Sequence, residues 1–131
     1  PMPCASDFRV SLADAEVERI KREIETRMEA EIATAQKDLW NRLHNAVDNM
    51  ILRLGKPEGK FHDTLVSNVA DLVDLIPRLN LTGDPKLEEV RAKCEEALTA
   101  HTPQELRDDT IIRGRVAAQA REISSLMDAY M

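Results

Sequence analysis

The chain is short of aromatic residues, glycine and cysteine, and each shortage excludes something. Aromatics are 3% of 131 residues and glycines number four, so the aromatic cross-strand pairs and tight glycine turns of a β-sandwich or barrel have no supply, and helix formers dominate. Cysteine is represented by Cys4 and Cys94 alone, with no Cys-x-x-Cys spacing and no dense disulfide pattern, which fits a reducing compartment. No apolar run approaches the roughly 20 residues that span a bilayer, and the N-terminus lacks a basic stretch followed by an apolar one. A cytoplasmic protein without membrane contact is expected, and the glycosylation pattern Asn80-Leu81-Thr82 is then a chance match. The net charge of −6 keeps such a chain soluble and argues against general nucleic-acid affinity, which needs a concentrated basic surface.

What the sequence does have is helical periodicity. Ser11-Leu12-Ala13-Asp14 resembles a capping box, after a flexible N-terminus over residues 1–10, and a helix is predicted over 11–54 with no Gly or Pro inside it. Val17, Ile20, Ile24, Met28, Ile32, Ala35, Leu39, Leu43, Val47, Met50 and Leu54 follow one another in steps of three or four, which makes one apolar stripe. Val17, Met28, Leu39 and Met50 also recur every eleven residues, a period that keeps a helix nearly straight. Acidic-before-basic pairs, Glu18 to Arg22, Glu23 to Arg27 and Asp38 to Arg42, lie four residues apart on the charged faces and are worth ~0.2 to 0.5 kcal/mol each.

A helix of this length runs about 60 Å, against a radius of gyration near ~14 Å for a compact domain of this size. Its own domain therefore does not cover it fully: either the remaining helices fold back along part of it and the rest projects, or a second copy covers the exposed stripe, and an elongated homodimer joined along the stripe is the favoured expectation. The interface residues this predicts are Val17, Ile20, Ile24, Met28, Ile32, Leu39, Trp40, Leu43, Val47 and Met50. Trp40, of a type enriched at binding hot spots, also has the alternative of packing inside the fold on Phe61 or the last helix. The methionines read first as core filler.

Gly55-Lys56-Pro57-Glu58-Gly59 breaks the long helix, and residues 61–131 read as a helical bundle within the same single domain. Phe61, Leu65, Val69, Leu72, Val73 and Ile76 mark a second helix antiparallel to the first, disturbed at its end by Pro77. "PRLNLTGDP" then raises the question of an anion-binding loop. A phosphate loop needs more glycines and a Lys-Ser or Lys-Thr pair, whereas Asp84 places a carboxylate where the anion would sit. The stretch reads instead as a corner, with Gly83 turning, Asp84 as N-cap and Pro85 opening a third helix through Leu87, Val90, Cys94 and Leu98. Thr102-Pro103-Gln104-Glu105 starts a short helical turn, and Asp109 or Thr110 caps a last helix carrying Ile112, Val116, Ala120, Ile123, Met127 and Tyr130. The fold class is all-α: an elongated bundle on one long N-terminal helix, with three to four shorter helices packed back on it.

Chemistry is harder to find. His44, His62 and His101 are read as having no ligand partner at four-residue spacing, and none follows a Glu by three, so neither a zinc set nor a di-iron bundle signature is present. Cys94 and His101 lie two helical turns apart, too far for a Cys-His pair. No catalytic residue, metal or cofactor is assigned. Arg113, Arg115 and Arg121 on the last helix, with Arg53, Lys56 and Lys60, come nearest to a basic patch. They lack the interleaved aromatics that stack bases.

From "FHDTLVSNVADLVDLIPRLNLTGDPKLEEV" through "TPQELRDDTIIRGRVAAQAREISSLMDAYM", and above all at "LIPRLNLTGDPKL" and "PQELRDD", the C-terminal half resembles an uncharacterised family of phage and prophage proteins classed as a domain of unknown function. That resemblance implies a small protein of the host cytoplasm with a protein partner, from the host or the phage, an ATPase among the candidates. It carries no catalytic residues. The functional expectation is a non-enzymatic helical interaction module that self-associates. The alternatives are an anti-defence inhibitor that blocks a host immune protein by occlusion, and a nucleic-acid adaptor working through Arg113, Arg115 and Arg121.

Overall fold

A computed structural model of the chain describes residues 5–56 and 59–131, with side chains from residue 10 onward. Cys4, Pro57 and Glu58 lie outside the described residues. Among those described are five helices and no strand: α1 (Ala5–Leu54), α2 (Thr64–Leu79), α3 (Pro85–Leu98), α4 (Pro103–Asp108) and α5 (Thr110–Tyr130). The all-α class and the long N-terminal helix followed by shorter ones are as the periodicity predicts.

Three boundaries differ, and the first is the start of α2 at Thr64, which leaves Phe61, expected within that helix, ahead of it. Helix α1 begins at Ala5, so Ser11 lies inside it and is no N-cap, and residues 5–10 of the expected flexible terminus are helical. No Gly or Pro stands between Pro3 and Gly55 to interrupt propagation. Helix α2 likewise runs through Pro77 to Leu79, closed by the Asn80 N–H donating to the Ile76 carbonyl. A proline this close to the helix end forfeits one backbone bond without stopping the turn.

The chain divides into two compact units, Pro1–Ala35 and Gln36–Met131, where one domain is expected from length. The first holds the N-terminal portion of α1. The second is an up-down-up-down bundle formed by the rest of α1 with α2, α3 and α5. The hydrogen bonds give the directions. Gln36 Nε2 donates to Asn80 Oδ1 (2.7 Å), and the Arg113 guanidinium reaches the carbonyls of Arg53 and Leu54 while Asp128 reaches His44. Both α2 and α5 are thus antiparallel to α1, and the Tyr130–Glu89 bond at the far end of α5 sets α3 antiparallel to α5.

One apolar face of each helix closes the core. Leu43, Val47 and Met50 of α1 meet Val69 and Ile76 of α2, Leu87 and Val90 of α3 and Ala120 and Met127 of α5, all with no exposed surface. The three- and four-residue spacing of these positions is what places them on one side of each helix. Met50 and Met127 are core filler as expected, whereas Met28 and Met131 are exposed.

The corner at "PRLNLTGDP" is tied down as well as capped. Gly83 adopts φ +63°, which glycine takes at no steric cost, and Asp84 Oδ1 accepts from the Lys86 N–H (2.9 Å) ahead of Pro85. Asn80 Oδ1 accepts from the Asp84 N–H (3.1 Å) and from Gln36 of α1, and Trp40 Nε1 lies 3.4 Å from Asp84 Oδ2. The expected caps at the other two helices form too: Thr102 accepts from Glu105, and Asp109, rather than Thr110, accepts from Ile111 and Ile112.

Candidate functional site

Three groupings carry side chains able to do something. The first is polar and joins α1 to α5. His44 Nδ1 lies 3.1 Å from Asp48 Oδ2, His44 Nε2 lies 2.9 Å from Asp128 Oδ1, and Ser124 Oγ donates to Asp48 Oδ1 at 3.0 Å. An imidazole, two carboxylates and a hydroxyl invite a catalytic reading, but the order is wrong for one. An activated serine gives its proton to the histidine, whereas Ser124 is bonded to a carboxylate and both ring nitrogens are occupied by aspartates. Nor do the imidazole and the two carboxylates make a metal site, because the aspartates sit at opposite nitrogens of one ring and do not converge on a common point. The grouping is a clasp between two helices.

The sequence reading passes over this pairing. Asp48 stands four residues after His44, and Glu105 stands four after His101, whose Nδ1 it meets at 3.0 Å. The spacing was visible for both; Asp128 and Ser124 were not, because only the bundle brings α5 alongside α1. Just beyond the clasp, Trp40 meets Tyr130 edge to face with ring centroids 6.3 Å apart. Trp40 therefore packs on the last helix and not on Phe61.

The second grouping surrounds Arg113, which is buried. Its Nη2 lies 2.7 Å from the Arg53 and Lys56 carbonyls and 2.6 Å from that of Gly59, with Nε 3.4 Å from the Leu54 carbonyl. The carbonyls at a helix C-terminus lack intrahelical partners and carry partial negative charge, so the guanidinium caps α1 and holds the following turn. Phe61 lies between two cations, with Arg113 5.2 Å and Arg107 4.8 Å from its ring centre. Arg107 is also taken, donating to the Phe61 carbonyl and to Asp63. Arg113 is thus buried and committed within the fold through Nη2 and Nε, which takes it out of an exposed basic patch and corrects its place there.

Cys94 has no exposed surface, and burial pushes its thiol up to about 12, only partly offset by the Arg91 charge. Thiolate is therefore scarce at neutral pH. Treatment of the native protein with iodoacetamide at pH 7.5 is expected to leave Cys94 unmodified by peptide mass spectrometry, with complete modification in denaturant; rapid native labelling would contradict this environment. A shallow groove of about 350 Å³ between α3 and α5, lined by Ala97, Ile123 and Leu126 and rimmed by Lys93, Glu96, Gln119 and Glu122, brings no buried polar group to a common point.

The third grouping is the α1 stripe, and the structure divides it. Leu39, Trp40, Leu43, Val47 and Met50 are core residues of Gln36–Met131, so their assignment to an intermolecular interface is corrected to an intramolecular one. Ile32 is half-buried. Val17, Ile20, Ile24 and Met28 remain 62%, 44%, 51% and 55% exposed. These four belong to Pro1–Ala35, where Arg19 bonds both Glu16 and Glu23, the latter at 2.8 Å, in place of the expected Glu18–Arg22 and Glu23–Arg27 pairs. The Asp38–Arg42 pair forms as expected, at 2.9 Å.

No protein-family model, curated protein or solved structure matches the chain. Among the described residues no helix is long and apolar enough to cross a membrane.

Proposed function

We propose that the protein is a non-enzymatic helical interaction module that self-associates as a homodimer through the N-terminal portion of α1. The observation that carries this reading is the continuous exposed row Val17, Ile20, Ile24 and Met28. Contiguous apolar surface of this kind on a water-soluble helix marks an association site more often than chance exposure, and its three- and four-residue steps are those of helix-on-helix packing. The second unit supplies a folded body whose polar clasp and capping arginine serve structure, whereas the row is a continuous apolar feature without an internal role. The resemblance to phage proteins adds a cytoplasmic setting and a protein partner to the same proposal.

Sedimentation equilibrium tests it. The wild-type chain is expected to be dimeric at micromolar concentration, and Ile20→Asp/Ile24→Asp is expected to be monomeric with unchanged helical circular dichroism. A wild-type monomer up to hundreds of micromolar would remove the proposal. Leu43→Asp is not a suitable probe, because it places a charge in the core rather than at the exposed row.

A further inference from the structure

Resting on the self-association proposed above, we infer that the two copies of α1 pair antiparallel, about a two-fold axis crossing the helix near residue 22. The apolar row is nearly a palindrome about that point. Reversing the helix sets Val17 against the partner's Met28 and Ile20 against the partner's Ile24, and at the margins Ala13 against the partner's Ile32 and Val10 against the partner's Ala35. Large residues then meet small ones at the outer layers, which keeps the layer volume even, as close packing requires. A parallel pair in register stacks each residue on its own copy, so Ala13 meets Ala13 and Met28 meets Met28.

The flanking charges discriminate further. With 3.6 residues per turn, Lys21 and Glu25 border the row on one side, and Glu16 and Arg27 border it on the other. In the antiparallel pair each side meets the same side of its partner. Lys21 then lies across from the partner's Glu25, and Glu16 from the partner's Arg27, each contact made twice. Glu16 already bonds Arg19, but a carboxylate has lone pairs for a second donor. Like charges meet as well: Glu23 faces its counterpart near the axis, offset by the Arg19 guanidinium 2.8 Å from Glu23 on the same helix, and Glu16 faces the partner's Glu31, offset by the partner's Arg27 one turn away. In a parallel pair opposite sides meet at equal height. Glu16 then falls beside the partner's Asp14, and Glu23 between the partner's Lys21 and Glu25, so attraction and repulsion largely cancel.

Two measurements on the full chain test the arrangement. In a Cys4→Ser background, with Cys94 buried, a spin label on Leu12→Cys is expected to show an interlabel distance of about 30 Å or more by pulsed dipolar spectroscopy, from some 20 residues of axial offset at 1.5 Å each. In sedimentation equilibrium, Lys21→Glu is expected to weaken dimerisation about tenfold, and Lys21→Glu/Glu25→Lys to return it close to wild type. A dimer with labels closer than about 20 Å, near the interaxial spacing of a parallel pair, or one not rescued by the charge exchange, overturns the antiparallel arrangement while leaving self-association in place. A wild-type monomer overturns both.

Discussion

Arg113→Met is expected to destabilise the Gln36–Met131 bundle by about 2–4 kcal/mol, one of the largest effects of any single substitution outside the apolar core. The two N–H of Nη2 are shared among the carbonyls of Arg53, Lys56 and Gly59 at 2.6–2.7 Å, and a hydrogen bond to a charged group is worth roughly 1.5–3 kcal/mol. Several are lost together. The sum is reduced because Arg53 and Lys56 are exposed, so water can reach part of the turn once the side chain is gone. For a domain of this size the loss corresponds to a fall in Tm of about 10–25 °C, measured by circular dichroism at 222 nm. Arg113→Lys keeps the charge but replaces a planar fork by a single ammonium, and is expected to recover only part of the loss. A change below about 1 kcal/mol for Arg113→Met would show that the carbonyls hold their geometry without it.

Leu43→Ala is expected to cost about 2–5 kcal/mol, the range for removing a leucine side chain from a packed core when its surroundings relax only in part. Leu43 has no exposed surface. The informative comparison is Ile24→Ala, on the same helix and in the same apolar stripe but half exposed. At dilutions where the chain is monomeric, that change is expected to fall within about 0.5 kcal/mol. At concentrations where it is dimeric, Ile24→Ala is expected to lose stability relative to wild type because association stabilises by mass action. Equal losses for the two variants at all concentrations would mean that the stripe has one fate rather than two. Urea titrations at two protein concentrations provide the measurement.

That division of one stripe shows where sequence reading stops. Helical class, the caps at Asp84, Thr102 and Asp109, the turn at Gly83 and the inward faces of the later helices are local matters. Each depends on residues within a turn or two, and each is legible in the spacing. The start of α1 was misplaced because Ser11 has the chemistry of a cap, while nothing before it back to Ala5 interrupts a helix. The reach of α2 through Pro77 follows from the same tolerance of a single lost bond near a helix end. His44–Asp48 was legible at four-residue spacing, but its second aspartate lies on α5.

By itself, then, the amino-acid sequence determined an all-helical protein with one long N-terminal helix, a capped corner at "PRLNLTGDP" and a single apolar stripe from Val17 to Leu54. Tertiary structure alone decided which part of that stripe is core. Periodicity puts Ile24 and Leu43 in one apolar stripe, and only the meeting of α1 with α2 and α5 after Gln36 takes Leu43 out of water and leaves Ile24 in it. It also decided the role of Arg113, because a guanidinium suited to a phosphate is equally suited to helix-end carbonyls. Which of the two it meets depends on residues more than fifty positions earlier in the chain.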